Sequence, residues 1–178
     1  AVAGGRVELP RPRAPLTGTF RAGRRPNGKQ SAARAVVVDM SDPFADPDVI
    51  RRLLNESRTW AFVGLGDNPA REVYNQARLL QQRGKRIIPV HPDAREVLGE
   101  KGYASLADVP DASEVDVVGV YRRAEHAGEA VDQAIAAGAK AVWLPLQVID
   151  EAAARRAKDA GLDVVMDRCP AVEWALRR

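Results

Sequence analysis

WAFVGLGDNPAREVYNQARLLQQRGKRIIPV, residues 60–90, carries the logic of the fold in one unit. Its two ends, WAFVG at 60–64 and RIIPV at 86–90, are runs of apolar residues rather than alternations, the pattern of strands buried on both faces of a parallel sheet. Between them Val73, Ala77 and Leu80 recur at helical spacing and give one apolar face. Gly84 stands where that helix must stop, because glycine takes the left-handed conformation after a helix end at little cost. Strand, helix and strand of this length predict parallel pairing through a right-handed crossover.

Toward the C-terminus the unit repeats. VDVVGV at 115–120, AVWLPL at 141–146 and DVVMD at 163–167 read as further buried strands. The helical patterns between them run through Val131, Ala134 and Ile135, and then through Ala153, Ala157 and Ala160; Gly138 and Gly161 close them. The prediction is an α/β domain of Rossmann-like, doubly wound type, a five-stranded parallel sheet in the order 3-2-1-4-5 with helices on both faces. A helix over Val49–Asn55 leads in, one over Val172–Leu176 closes the chain, and Leu98–Pro110 reads as loop with one helical turn.

Toward the N-terminus the character of the chain changes. Residues 1–39 contain Pro10, Pro12, Pro15, Pro26 and five glycines and show no apolar periodicity before Ala35. They hold eight Lys and Arg against Glu8 and Asp39, a net +6, whereas residues 40–178 hold 19 basic and 22 acidic residues, a net −3. The basic character of the chain, net +3 at pH 7, therefore sits in one end. We divide the chain into a basic, disordered extension, 1–39, and a folded domain, 40–178. The extension has three readings: an arm for nucleic acid, an Arg-rich transit peptide, or a plain one, which is either a disordered tail or an extension upstream of a true start at Met40. The last is favoured, so a nucleic-acid partner is not expected. No apolar run approaches the roughly 20 residues needed to span a bilayer, and a single cysteine, Cys169, forms no internal disulfide. A cytoplasmic protein without a membrane partner is the expectation.

In an open parallel sheet the ligand crevice lies outside the carboxyl ends of the strands, where the strand order reverses. That selects Gly64, Leu65, Gly66, Asp67 and Asn68 after the first strand, Val90, His91 and Pro92 after the second, and Tyr121 and Arg122 after the third. Gly64 and Gly66 let backbone approach a phosphate facing the amides of the helix that starts near Arg71. Pro69 replaces the third glycine of a dinucleotide fingerprint and His91 replaces its ribose-binding acid, so a tight turn without a ligand competes with the phosphate reading. Arg122 and Arg123 either reach the crevice and pair with phosphate or form a solvated basic turn. Val90, His91 and Pro92 form a wall for adenine or a simple turn.

No catalytic set emerges. His126 falls on a helix start as a surface residue, and Cys169 lacks a local base and reads as a buried thiol rather than a nucleophile. Asp167 reads as a cap for the last helix in preference to a carboxylate base.

FVGLGDNP, IIPVHPDAREVLGEKGYASLADVP, VDVVGVYRR, GAKAVWLPL and AGLDVVMDRC, in that order, resemble the small stand-alone CoA-binding domain proteins. The match runs from about Asp48 to the C-terminus. The family is similar to the CoA-binding Rossmann domain of the α subunit of succinyl-CoA synthetase and of ADP-forming acyl-CoA synthetases. The resemblance implies coenzyme A or acyl-CoA along the carboxyl edge of the sheet, phosphates at Gly64–Asn68, and Val90–Pro92 with Tyr121 and Arg122 flanking the nucleotide. The phosphorylated histidine and nucleotide-grasp unit of the synthetases lie outside this domain, and the chain is expected to have room for neither. Two departures fall near the pantetheine. Where relatives tend to read W-L-Q-x-G, this chain reads Trp143-Leu144-Pro145-Leu146-Gln147, and Gly66 stands where serine is frequent.

The function expected is non-catalytic binding of coenzyme A or acyl-CoA, with a homodimer or an acyl-transferring enzyme as compatible partners. The alternative is a small NAD(P)-dependent oxidoreductase or redox-sensing domain, which needs the same phosphate loop but normally an acid in place of His91 or a 2′-phosphate site. A third is an interaction protein with a vestigial crevice. A bulky β-branched residue at Gly64 or Gly66 is expected to abolish binding with modest loss of fold, and Arg122→Ala to weaken binding by about 1.5–3 kcal/mol.

Overall fold

The computed structural model of the chain describes residues 42–177, so the readings of residues 1–39 and of Met40 as a start lie outside the described residues. Asp46 opens the first helix, α1 (Pro47–Glu56): its carboxylate accepts the N–H groups of Asp48 at 2.8 Å and Val49 at 3.3 Å, with Pro47 in the first turn where no N–H is missed. β1 (Thr59–Val63), α2 (Glu72–Gln82) and β2 (Arg86–Val90) then form the expected unit. Leu98–Pro110 is loop except for a 3-10 turn at Leu106–Asp108, held by a Ser105–Asp108 capping box. β3 (Val117–Val120), α3 (Ala124–Ala136), β4 (Ala141–Trp143), α4 (Glu151–Asp159), β5 (Asp163–Val165) and α5 (Pro170–Ala175) complete the chain. β4 and β5 are shorter than their apolar runs.

All five strands are parallel, as expected of the fold class, in the order β2-β1-β3-β4-β5. This corrects the expected order 3-2-1-4-5, which set VDVVGV outside RIIPV. β3 instead pairs with β1, from Trp60↔Val117 to Val63↔Val120. The place outside β2 is held by one residue: Tyr103 donates its N–H to Pro89 and accepts that of His91, both at 2.9 Å. At the opposite edge Phe44 accepts the N–H of Met166 at 2.8 Å. The reversal of strand order still falls at β1, now between β1 and β3, and sets the crevice above those two strands.

Strand alternation divides the core into two layers. Trp60, Phe62, Ile87, Val117, Trp143 and Val165 face α1 and α2, with Trp174 of α5 packed against that layer. Ala61, Val63, Ile88, Val118, Val142 and Val164 face α3 and α4, whose buried residues are mostly alanine and let both helices lie close to the sheet. Among the described residues no helix is long and apolar enough to cross a membrane.

The amino end of the sheet is tied by Asp116, which accepts the N–H groups of Arg58 at 2.6 Å and Thr59 at 3.1 Å and an ammonium N–H of Lys140 at 2.6 Å. Burial works against its charge, but these donors outweigh burial and hold its carboxyl below the usual carboxylate range. A depressed pKa contributes stability that is present above the unfolded value and lost as pH falls through the native one. Asp116→Asn is therefore expected to cost about 1–2 kcal/mol at neutral pH and to flatten the acid limb of a stability-against-pH curve measured by denaturant unfolding.

Candidate functional site

The loops after β1, β2 and β3 are locked to one another at Gly64. Its N–H donates to Val90 at 2.8 Å, Tyr121 donates to Val63 at 2.9 Å, and Gly64 itself has φ +99°. A Cβ there would lie 2.3 Å from the Tyr121 carbonyl oxygen, and the Arg122 side chain passes directly over it. Gly66 is different: a Cβ would meet only the His91 ring, no nearer than 3.7 Å. Asn68 accepts the N–H of Ala70 at 2.9 Å and shapes the approach to α2, before which Arg71 provides no side-chain cap.

Above this lock three cavities follow one another along the carboxyl edge of the sheet. The first, of about 310 Å³, is walled by Gly64, Gly66, Asp67, Asn68, Arg71, His91, Asp93 and Arg95. Arg95 donates to Asp67 at 2.7 Å, which neutralises the one carboxylate of the glycine loop and holds it below the usual range. The second, of about 350 Å³, lies among Gly64, Arg71, His91, Pro92, Tyr121, Arg122, Arg123 and His126. The third, of about 430 Å³, is apolar in its greater part, with Val73, Pro145, Leu146, Val148 and Pro170 around Gln76, Tyr121 and Cys169, and with Glu72 and three arginines also on its wall. Arg71 borders all three, and Tyr121 and Arg122 border two. Neither Arg71 nor Arg122 joins an ion pair among the described residues.

Of the residues selected from the sequence, Gly64, Gly66, Asp67, Asn68, His91, Pro92, Tyr121 and Arg122 come together here. Leu65 and Val90 do not line the cavities: both side chains are buried in the core, so only their backbone faces the edge. Exposed His126 lines the second cavity at the start of α3. Asp167 does not cap α5, whose N-cap position is Cys169; its carboxylate accepts the N–H of Gln147 at 2.8 Å. Sequence reading missed Gln76, although a glutamine among Val73, Ala77 and Leu80 on the buried stripe of α2 was a visible irregularity.

Gln147 has φ +66°, in the left-handed region. That conformation costs a residue with a Cβ roughly 1–2 kcal/mol. Gln147→Gly is expected to return about 1 kcal/mol of it, read as a higher denaturation midpoint.

Tyr121 lies against Phe62, ring centroids 5.6 Å apart, in space left by Gly119, where a Cβ would stand 3.1 Å from its ring. Its hydroxyl is buried without a hydrogen-bond partner among the described residues. Burial, and then the proximity of Cys169 and Glu72, push the phenol well above its usual range, so it stays a neutral O–H donor. Gln76, 5% exposed, donates from Nε2 to Glu72 at 2.6 Å and to Cys169 Sγ at 3.3 Å, and its Oε1 has no partner among the described residues.

The sequence profile of the CoA binding domain family matches residues 58–175. The uncharacterized protein YneT of Bacillus subtilis (strain 168) is 32% identical over 129 residues, which are 72% of this chain and 94% of YneT. A hypothetical protein from Pyrococcus horikoshii OT3 superposes with a TM-score of 0.68 at 34% identity, over 73% of this chain and 90% of that one. The dinucleotide-forming acetyl-coenzyme A synthetase 1 of Ca. Korarchaeum cryptofilum, in complex with phosphate and ADP, is similar at TM-score 0.56 and 27% identity, over 66% of this chain and 27% of its own.

Proposed function

The chain belongs to the CoA binding domain family, and we propose that it holds coenzyme A or an acyl-CoA along the carboxyl edge of its sheet. The observation that carries this reading is the run of three cavities with two arginines, unpaired among the described residues, on their walls. Coenzyme A is a long ligand, anionic at its nucleotide end and nearly neutral along its pantetheine. A polar cavity at a glycine loop leading into an apolar one matches that gradient. In this reading the pyrophosphate lies by Gly64–Asn68 under Arg71 and Arg122, where guanidinium groups offer paired N–H donors to phosphate oxygens. His91 and Pro92 flank the adenine, and the pantetheine enters the chamber of Pro145, Leu146 and Tyr121. Asp67 would repel phosphate if free, and its pairing with Arg95 removes that objection. We assign this function to residues 40–178, and a single cysteine suits work in the reducing cytoplasm.

Calorimetric titration of the full chain with coenzyme A, dephospho-CoA and NADP tests the reading. Coenzyme A is expected to bind, and more tightly than dephospho-CoA. Binding of NADP alone would move the search to hydride chemistry, and silence from all three would overturn the proposal.

A further inference from the structure

We propose that Cys169 is an acyl acceptor, loaded once per chain by a bound acyl-CoA through thioester exchange. The inference rests on the coenzyme reading above. Its basis is the convergence of three groups on the largest of the three edge cavities. The Cys169 sulfur accepts a hydrogen bond from Gln76 Nε2, which also donates to Glu72, so the sulfur is held in place by a buried amide. Tyr121 and Gln76 both line this cavity, and the Tyr121 hydroxyl and the Gln76 Oε1 are buried with no partner among the described residues. Buried polar atoms left alone cost about 1–3 kcal/mol each, and such atoms at a cavity wall call for a ligand that satisfies them.

The unmet atoms specify the ligand. Oε1 needs a donor, which an amide N–H of pantetheine supplies. The neutral Tyr121 O–H needs an acceptor, which a thioester carbonyl supplies and a bare thiol does poorly. The walls of Val73, Pro145, Leu146, Val148 and Pro170 suit an uncharged acyl group. In the exchange the Cys169 sulfur attacks the thioester carbon, and the carbonyl oxygen carries the developing charge toward the Tyr121 O–H. The bond from that carbon to the coenzyme sulfur breaks, the new bond to Cys169 remains, and the proton lost by Cys169 ends on the coenzyme thiol. No oxidant or metal enters the balance.

The test incubates the reduced full chain with acetyl-CoA and follows intact mass and release of free coenzyme by chromatography. The expected result is one acetyl group per chain, on the peptide that contains Cys169, removed by neutral hydroxylamine as a thioester is. Cys169→Ser should give no hydroxylamine-labile adduct, and Tyr121→Phe should load about 10²-fold more slowly, the usual loss with an oxyanion donor. Thermal unfolding of both variants checks that they fold; the Cys169→Ser result decides if Tyr121→Phe does not. An adduct removed by a thiol reductant alone, an adduct at another residue, or no adduct while calorimetry shows coenzyme bound would each overturn the acyl acceptor and leave the coenzyme reading standing. Absence of calorimetric binding would overturn the coenzyme reading first.

Discussion

Gly64→Val is expected to destabilise the domain strongly rather than merely empty its crevice. The substitution adds a Cβ 2.3 Å from the Tyr121 carbonyl at φ +99°. The left-handed backbone alone costs about 1–2 kcal/mol, and forcing β1 and β3 apart at their carboxyl ends adds about 1–3 kcal/mol. Together these take roughly 2–5 kcal/mol from a domain whose whole stability is on the order of 5–15 kcal/mol. Gly66→Val should behave oppositely. Its backbone is not left-handed, its Cβ has only the His91 ring within reach, and the added methyls take up part of the 310 Å³ cavity that Gly66 lines. Loss of coenzyme binding with a denaturation midpoint close to the parent is expected. Denaturant unfolding and titration of the two variants separate these effects; equal stability of both would show that the sheet relaxes around Gly64. The sequence alone suggested the same modest cost at both glycines, because a G-x-G pattern does not reveal which glycine touches the neighbouring strand.

Replacing Arg71 and Arg122 together by alanine should remove nearly all measurable affinity for coenzyme A. Each guanidinium borders the crevice and is unpaired among the described residues, so each is available to a phosphate. A hydrogen bond to a charged group contributes about 1.5–3 kcal/mol; either single variant should bind about 10- to 100-fold more weakly, and the double variant on the order of 10³-fold. The salt dependence of binding should flatten in step, since charge attraction across a crevice open to water is screened by ions. Calorimetry at two ionic strengths checks both. Affinity unchanged in the double variant would mean that both arginines face solvent and that the phosphates lie elsewhere.

The strands and helices were legible because continuous apolar runs and glycine stops are local signals, and the crevice was legible because topology confines it to the strand ends. Strand order was not, since nothing within VDVVGV says whether it joins RIIPV or WAFVG; it pairs with β1, and Tyr103, one residue of a loop, bridges the outer side of β2. Leu65 and Val90 were chosen by position in the chain, but strand alternation and the turn after β1 direct both side chains inward. Gln76 and Cys169 meet across 93 residues of sequence, and no spacing rule could have joined them. The resemblance to CoA-binding domains, by contrast, rested on several motifs in fixed order, and it holds.

The backbone bonds at Tyr103 and Phe44 have a consequence for crowding. An outer strand with free N–H and carbonyl groups is a template on which further chains add. Here one outer strand is only three residues long, with Phe44 bonded just beyond it, and the other carries Pro89, which has no N–H and whose carbonyl is already taken by Tyr103. A second copy would have to displace Tyr103 or Phe44 before it could lengthen the sheet into an intermolecular ribbon. Two residues that belong to no strand thus blunt both outer edges of the sheet against pairing with a further chain.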